Sequence, residues 1–215
     1  MKKSVFVIAI ILILSVSEVL VQKKLSAYKI EHPESLLYLP SGKYLKPLSL
    51  GYHLAAADLL WIRTISYFGG HFMTDKEYPW LSHILNIIID LDPRFDFPYY
   101  FGGIVLSLEA SQVENANKIL ERGMVAFPDR WQYPFYIGFN YFYHQGDAAK
   151  AAPYIEKAAA LPKRPDFVQS LVGTLYAKSG KKEKALQFFK DAYNHTEDPL
   201  IKGKLREKIL KIEAE

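Results

Sequence analysis

Histidine, cysteine and the carboxylates are the side chains that most often hold metals or move protons in proteins. This chain of 215 residues has no cysteine and six histidines, which are His32, His53, His71, His83, His144 and His195. No two of these histidines stand four residues apart, the spacing that places two imidazoles on one face of a helix for a metal ion. We therefore expect no metal site and interpret each histidine as an ordinary surface or interface residue.

The sequence also lacks the motifs of phosphate binding and of nucleophilic catalysis. Glycine pairs begin at Gly69 and Gly102, but neither continues into a phosphate-binding loop, and both fall in helical stretches. The sequence contains no Gly-x-Ser-x-Gly turn that could expose a nucleophile. Asp90 and Asp92 stand at the end of a helical stretch, so we interpret them as its termination. The sequence predicts a protein that is not an enzyme and needs no cofactor.

Charge is distributed unevenly along the chain. Residues 1–162 carry 15 basic and 15 acidic side chains, whereas residues 163–215 carry 12 and 8, so the last quarter holds the whole net charge of +4. Lysines along helices usually form a solvated face, and we expect no nucleic-acid partner. A contact of this basic end with nucleic acid or anionic lipid remains an alternative.

The N-terminal segment, residues 1–22, has the composition of a membrane anchor. After Lys2 and Lys3, residues 4–21 read SVFVIAIILILSVSEVLV, with Glu18 as the one charged residue. As a helix these 18 residues cover about 27 Å, enough for a bilayer core. Ser15-Val16-Ser17 is a poor signal-peptidase site, so an uncleaved signal anchor is favoured over a cleaved signal peptide.

The lysines that flank this segment give a weak indication of its orientation. Lys2, Lys3 and the amino terminus face Lys23, Lys24 and Lys29 across the apolar run. By the positive-inside rule the two sides are nearly balanced. We place the N-terminus inside a bacterial-type inner membrane, so that the bulk of the chain lies on the periplasmic side.

Residues 23–47 are predicted to be a linker, because they contain several prolines and a Ser-Gly turn signal without a sustained apolar period.

From Leu48 onward, helical stretches alternate with breaks at Pro93, Pro128, Pro162 and Pro199, which lie 35, 34 and 37 residues apart. No stretch shows the alternation of period 2 that a strand requires. The sequence therefore predicts an all-α protein.

A pattern of small and large residues repeats at a spacing of 34 residues. Four pairs of positions carry it: Gly146 with Gly180, Ala151 with Ala185, Ile155 with Phe189, and Ala158 with Ala192. This period fits a unit of two helices. In such a unit glycine ends the first helix in a left-handed conformation, alanine allows close helix approach, and proline stops the second helix.

These residues resemble the tetratricopeptide repeat family. The best matches are FYIGFNYFYHQGDAAKAAPYIEKAAALP (135–162) and QSLVGTLYAKSGKKEKALQFFKDAYNHTEDP (169–199), and two weaker units precede them. The resemblance implies a right-handed superhelical stack of helix-turn-helix repeats over residues 48–199, in about four units, preceded by one transmembrane or signal-anchor helix. Residues 200–215 resemble the solvating cap helix that such arrays need.

In this family the first helix of each unit lines a concave groove that binds protein segments. Carried over by position, the resemblance implies the following groove residues: Arg63, Phe101, Tyr133, Tyr136, Asn140, Tyr143, His144, Phe167, Thr174 and Lys178. Val105, Leu108, Glu109 and Ser170 fall on equivalent positions. The aromatic side chains suit an extended peptide or an amphipathic helix, although they also serve to fill the junctions between units. A grip on a C-terminal carboxylate is doubtful, because Phe167 and Leu171 stand where cations are needed.

Three functions are compatible with the sequence. The preferred one is a membrane-anchored scaffold that binds a component of a cell-envelope assembly, such as a secretion, pilus or cell-wall machine. The second is an exported adaptor or chaperone released after signal cleavage, and the third is the contact of the basic C-terminal end with nucleic acid or anionic lipid.

Within the apolar stretch 48–72, we interpret Asp58 and Arg63 as an ion pair at the edge of the core.

Overall fold

The computed structural model of the chain describes residues 39–214 together with Ser15, Ser17, Glu18 and Leu20, which are helical. The chain divides into two compact units, Met1–Leu39 and Pro40–Glu215, and the elements below belong to the second unit. Most of the predicted membrane segment and most of the predicted linker lie outside the described residues. Among the described residues no helix is both long enough and apolar enough to cross a bilayer.

Residues 40–214 form ten helices, and this part of the chain contains no strand, which confirms the predicted all-α fold. The helices are α1 (Gly42–Leu48), α2 (His53–Phe72), α3 (Leu81–Leu91), α4 (Asp96–Leu108), α5 (Val113–Ala126), α6 (Gln132–Gln145), α7 (Ala148–Ala159), α8 (Phe167–Lys178), α9 (Lys182–His195) and α10 (Pro199–Ala214).

Consecutive helices pair into four hairpins, which are α2 with α3, α4 with α5, α6 with α7, and α8 with α9. Each hairpin also contacts the next one along the chain, and α10 packs on α9. We call the first helix of each hairpin its A helix and the second its B helix. The array arises because each hairpin has an apolar side that it cannot bury alone and that the next hairpin covers.

Three glycines on the A helices set the spacing within the hairpins. They are Gly103, Gly138 and Gly173, each 35 residues after the last. A Cβ atom at these positions would lie 2.2 Å from Leu120, 2.6 Å from Ile155 and 2.7 Å from Phe189, respectively. Glycine is needed because the B-helix side chain occupies the space of its missing Cβ atom.

Left-handed residues close the turns between paired helices. Gly146 ends α6 with a φ of 65°, and Gly180 precedes α9 with a φ of 77°. These are the two glycines whose repetition marked the turn in the sequence, and their conformation explains the residue type. The equivalent turn of the second hairpin uses Ser111, with a φ of 55°.

The end of the predicted linker is helical instead of extended. Residues 42–47 belong to α1, which packs on α3. Gly42 allows this approach, because a Cβ atom there would lie 2.3 Å from the Cβ atom of Asp90. The prolines that suggested a linker do not prevent the helix, since Pro47 lies in its last turn, next to its end.

The predicted ion pair within α2 is wrong. Asp58 and Arg63 are both exposed, and no ion pair joins them in the described part of the chain. Five residues on an α-helix separate two side chains by about 140° around the axis, so the two groups point apart.

Candidate functional site

The A helices present a common outward side, which we call the A face. Its positions recur every 35 residues, because the glycines fix which side of each helix turns toward its B helix. The A face comprises Phe97, Phe101, Ile104 and Leu108 on α4, Gln132, Tyr136, Phe139 and Tyr143 on α6, and Phe167, Leu171, Thr174 and Lys178 on α8. All of these side chains are partly or largely exposed.

Aromatic rings connect the A face from one hairpin to the next. Trp61 of α2 packs edge-on against Phe101 of α4, with ring centroids 5.3 Å apart. Tyr100 meets Tyr136 of α6 at 5.6 Å, and their hydroxyl oxygens are 3.3 Å apart.

On α6 and α8, Phe135 meets Phe167 at 5.9 Å, and Phe139 stacks on Tyr143 at 5.1 Å. These contacts bury only part of the ring surface, since Phe97, Tyr143 and Phe167 remain 52%, 66% and 55% exposed. The result is a row of rings that runs from α2 to α8, across four hairpins, and still offers surface to a partner.

The chemistry of the A face changes along the array. The last A-face position is Leu108 on α4, Tyr143 on α6 and Lys178 on α8, and the position before it is Ile104, Phe139 and Thr174. The face is therefore aliphatic and aromatic on α4 and aromatic with hydroxyl groups on α6. On α8 it is apolar at Phe167 and Leu171 and becomes polar and basic at Thr174 and Lys178. Burial of the Tyr136 hydroxyl, together with its contact to Tyr100, raises the pKa of Tyr136 to about 12.

A cleft of about 480 Å³ continues the basic end of the A face, between α8, α9 and α10. Phe167, Ile201 and Leu205 form apolar parts of its wall, and Arg164, Lys204 and Lys208 bring positive charge to it. Asp166 and Asp191 also line the cleft, but neither pairs with the two lysines.

Two contacts hold the ammonium group of Lys208, one of the cations of this cleft. Its Nζ donates a hydrogen bond to Thr174 Oγ1 at 3.1 Å and lies 5.1 Å from the centre of the Phe189 ring. Burial, and to a smaller degree the charge of Lys204, lower the pKa of Lys208. Within residues 39–214 neither lysine has a carboxylate partner, so an anion bound here would meet two uncompensated charges.

A smaller cavity of about 180 Å³ lies between α4 and α6. It is bordered by Asp96, Tyr133 and Arg130, which form a closed network. The Tyr133 hydroxyl donates to the Asp96 carboxylate, and Arg130 pairs with the other oxygen of Asp96 at 3.2 Å. Burial, and then the bond to Asp96, raise the pKa of Tyr133 well above its ordinary value. Because these groups satisfy one another, we interpret the network as a link between two hairpins.

Six of the residues predicted for the groove lie on the A face: Phe101, Tyr136, Tyr143, Phe167, Thr174 and Lys178. Arg63 is exposed on α2, apart from the aromatic row. His144 is exposed at the end of α6, but it follows the side of the helix that carries Tyr133 and Asn140.

Tyr133 and Asn140 differ from the prediction, because both are buried where no partner can reach them. Asn140 Nδ2 donates to Asn117 Oδ1 of α5 at 2.8 Å, so it links two neighbouring hairpins. The prediction had shifted the third unit by one residue. The signal that sets the correct register is Gly138, which stands 35 residues from both Gly103 and Gly173. The same shift misplaced Val105, which is buried.

The structure adds several residues that sequence reasoning missed. Phe97, Phe139 and Gln132 are A-face residues by the glycine register, and Lys204 and Lys208 join the face from α10. Nothing in the sequence marked the two lysines, because they lie in the segment that was interpreted as a solvating cap. Within the described residues, no three histidine, aspartate or glutamate side chains come together as a metal site would require.

No family model and no curated protein matches the chain. Among solved structures, the crystal structure of MamA protein is similar over 75% of this chain and 88% of that chain, with 18% identity and a TM-score of 0.46. The crystal structure of TTC0263, a thermophilic TPR protein in Thermus thermophilus, is similar over 81% of this chain and 96% of that chain, with 18% identity and a TM-score of 0.43. Because both TM-scores are low, the description of the fold as stacked hairpins rests only on the contacts between the helices of this chain.

Proposed function

We propose that the chain is a non-enzymatic scaffold whose A face binds an extended segment or an amphipathic helix of a protein partner. The observation that carries this proposal is the row of partly exposed rings, which joins α4 to α6 through Tyr100 and Tyr136 and α6 to α8 through Phe135 and Phe167. Aromatic side chains give a large contact area at a low cost in conformational entropy. A surface of this kind is suited to binding a protein segment.

The change of chemistry along the A face defines the partner that it would select. Leu108 and Phe101 favour apolar side chains at one end. Lys178, Lys204 and Lys208 favour carboxylates at the other end, where the cleft also has apolar walls. We therefore expect a segment with an apolar or aromatic stretch followed or preceded by acidic residues.

We further propose that residues 4–21 anchor the chain in a bacterial inner membrane, with the array on the periplasmic side. The support is the 18-residue apolar run and its flanking lysines. In that location the partner would belong to a cell-envelope assembly. The alternative is an exported soluble adaptor released by signal cleavage, which N-terminal sequencing of the mature protein distinguishes. A C-terminal reporter that is active only in the cytoplasm would refute the orientation.

Site-specific photo-crosslinking in living cells tests the binding face. A photoreactive amino acid replaces Tyr143, which is 66% exposed on the A face, and in a control strain it replaces Val125, which is 84% exposed on α5. We expect one defined protein adduct from position 143 and none from position 125. The same adduct should disappear when Tyr136→Ala and Phe139→Ala are added. An adduct that persists in this background, or that forms equally at both positions, would mean that the A face is the wrong surface.

A further inference from the structure

The first two helices of the array expose an unusual amount of apolar surface. Ten large apolar side chains between residues 44 and 73 are at least 39% exposed. They are Tyr44, Leu48, Leu50, Tyr52, Leu54, Leu59, Ile62, Ile65, Phe72 and Met73, and we call them the N-terminal apolar surface. Scattered apolar residues on a surface are ordinary, but such a concentration marks a contact site.

The opposite end of the array shows how a terminal helix is normally adapted to water. The exposed side of α10 combines three apolar side chains, Leu200, Ile201 and Leu210, with five charged ones, which are Lys204, Arg206, Glu207, Lys211 and Glu213. In contrast, α2 has only two side chains of permanent charge in its 20 residues, Asp58 and Arg63. An array of stacked hairpins requires a polar outer side on both terminal elements to remain soluble. The N-terminal end lacks this side, so another apolar phase or molecule must cover it.

The packing of the fold does not account for several of these apolar side chains. Leu50, in the turn between α1 and α2, has a φ of 49° and is 86% exposed. Glycine or asparagine fits this left-handed conformation better, and leucine there gains little from packing. On α2, Leu59 and Ile62 lie away from the buried residues Ala57, Thr64 and Tyr67, which face α3.

We infer that the N-terminal apolar surface rests on a lipid bilayer, in the headgroup and upper acyl region. This inference rests on the proposed anchor, because the apolar run ends at Val21 and the chain enters the array at α1. Residues 22–41 connect the two, so α1 and α2 are the helices of the array that follow the proposed anchor most closely along the chain. Tyrosines and lysines at the boundary of an apolar surface favour the bilayer interface, and Tyr44, Tyr52 and Lys43 are exposed around α1.

Single-cysteine labelling of the full chain tests this contact. Because the sequence has no cysteine, Leu59→Cys and Leu210→Cys each create one labelling site, in α2 and in α10. The two leucines are 65% and 56% exposed, which makes them a matched pair. Each variant carries an environment-sensitive fluorophore and is reconstituted into phosphatidylcholine vesicles with one-fifth phosphatidylglycerol, with or without brominated acyl chains.

We expect bromolipid to reduce the emission from position 59 at least about twofold and to leave position 210 unchanged. Unquenched emission at position 59 in protein that floats with the vesicles would overturn the inference while leaving the anchor intact. If emission at position 59 instead depends on the ratio of protein to lipid without quenching, a second copy covers the surface and the inference is wrong. If the protein does not float with the vesicles, the anchor fails, and the bilayer contact fails with it.

Discussion

Gly173 of α8 lies directly under the ring of Phe189 in α9. A Cβ atom at position 173 would come within 2.7 Å of the ring atom Cε1 and within 2.8 Å of Cδ1. Phe189 is 2% exposed, so its ring has no free space into which it can turn. The same relationship holds for Gly103 with Leu120 and for Gly138 with Ile155. The glycine therefore sets both the distance between paired helices and the rotation of the A helix.

The first prediction is that Gly173→Ala destabilises the array. The added methyl group collides with a rigid, buried ring, and overpacking of this kind costs about 1–3 kcal/mol. Denaturant unfolding followed by circular dichroism measures the decrease in the free energy of unfolding. The control is Gly70→Ala, since that glycine is helical and has nothing within 4 Å of its Cβ position. There the better helix propensity of alanine should add about 0.5–1 kcal/mol. Equal effects at both positions would contradict the role of the glycine.

The sequence carried enough information for the fold of the array, and the reason is physical. Hairpins that stack in one direction repeat their packing, so small residues recur at the spacing of the structural unit, as Ala151 and Ala185 do. The groove was harder to predict. A repeat consensus fixes the helix but leaves a one-residue shift undecided, and one residue turns a helix by about 100°. That rotation exchanged Phe139, which faces outward, for Asn140, which is buried.

Contacts made by the end helices were the least predictable. The pairing of α1 with α3 and the bond between Lys208 and Thr174 each join a helix outside the repeats to a helix within them, so no comparison between repeats reveals these contacts. Lysine on a helix is ordinarily solvated, and only its tertiary neighbours show that Lys208 is partly buried.

The second prediction concerns the buried pair Asn117 and Asn140. Asn140 Oδ1 already lacks a hydrogen-bond partner, while its Nδ2 is bonded to Asn117 Oδ1. Replacing either residue by leucine leaves a buried polar group unsatisfied, at a cost of about 1–3 kcal/mol. The double variant removes both polar groups, so its loss of stability should be smaller than the sum of the two single losses.

A double-mutant cycle in the free energy of unfolding measures this coupling, which we expect to be about 1–2 kcal/mol. The control cycle combines Asn140→Leu with Ser107→Ala, because the Ser107 hydroxyl bonds only within its own helix. That cycle should be additive. If Asn117 and Asn140 are additive too, the hydrogen bond does not link the hairpins.

The third prediction is a loss of stability at alkaline pH that depends on Tyr133. In the folded protein the pKa of Tyr133 is raised above 10 by burial and by its bond to Asp96. The stabilisation of the folded state that follows from this raised pKa is complete below pH 10. It is lost as the pH rises further, because the unfolded chain then releases the Tyr133 proton and the folded chain keeps it. The stability advantage of the natural protein over Tyr133→Phe should therefore shrink by about 1.4 kcal/mol per pH unit above pH 10.

Unfolding at intervals from pH 8 to pH 11 tests this difference, and comparison with the variant removes the effect of the lysines, which titrate in the same range. The same series on Tyr143→Phe, where the ring is 66% exposed, provides the matched comparison. A constant difference for Tyr133→Phe would show that its hydroxyl is not held by the carboxylate.

The last prediction separates binding from stability at Lys208. The ammonium is partly buried, its pKa is lowered, and no carboxylate pairs with it within residues 39–214, so the folded array gains little from its charge. Lys208→Met keeps an unbranched side chain over the Phe189 ring and should change the free energy of unfolding by no more than about 1 kcal/mol.

If the partner is acidic at this end, Lys208→Met should reduce several-fold the yield of the protein adduct that forms from the photoreactive residue at position 143. Lys211→Met removes an exposed charge from the same helix and should leave the adduct unchanged. Equal loss with both variants would point to the general charge of α10, and no loss with either would remove the cleft from the binding surface.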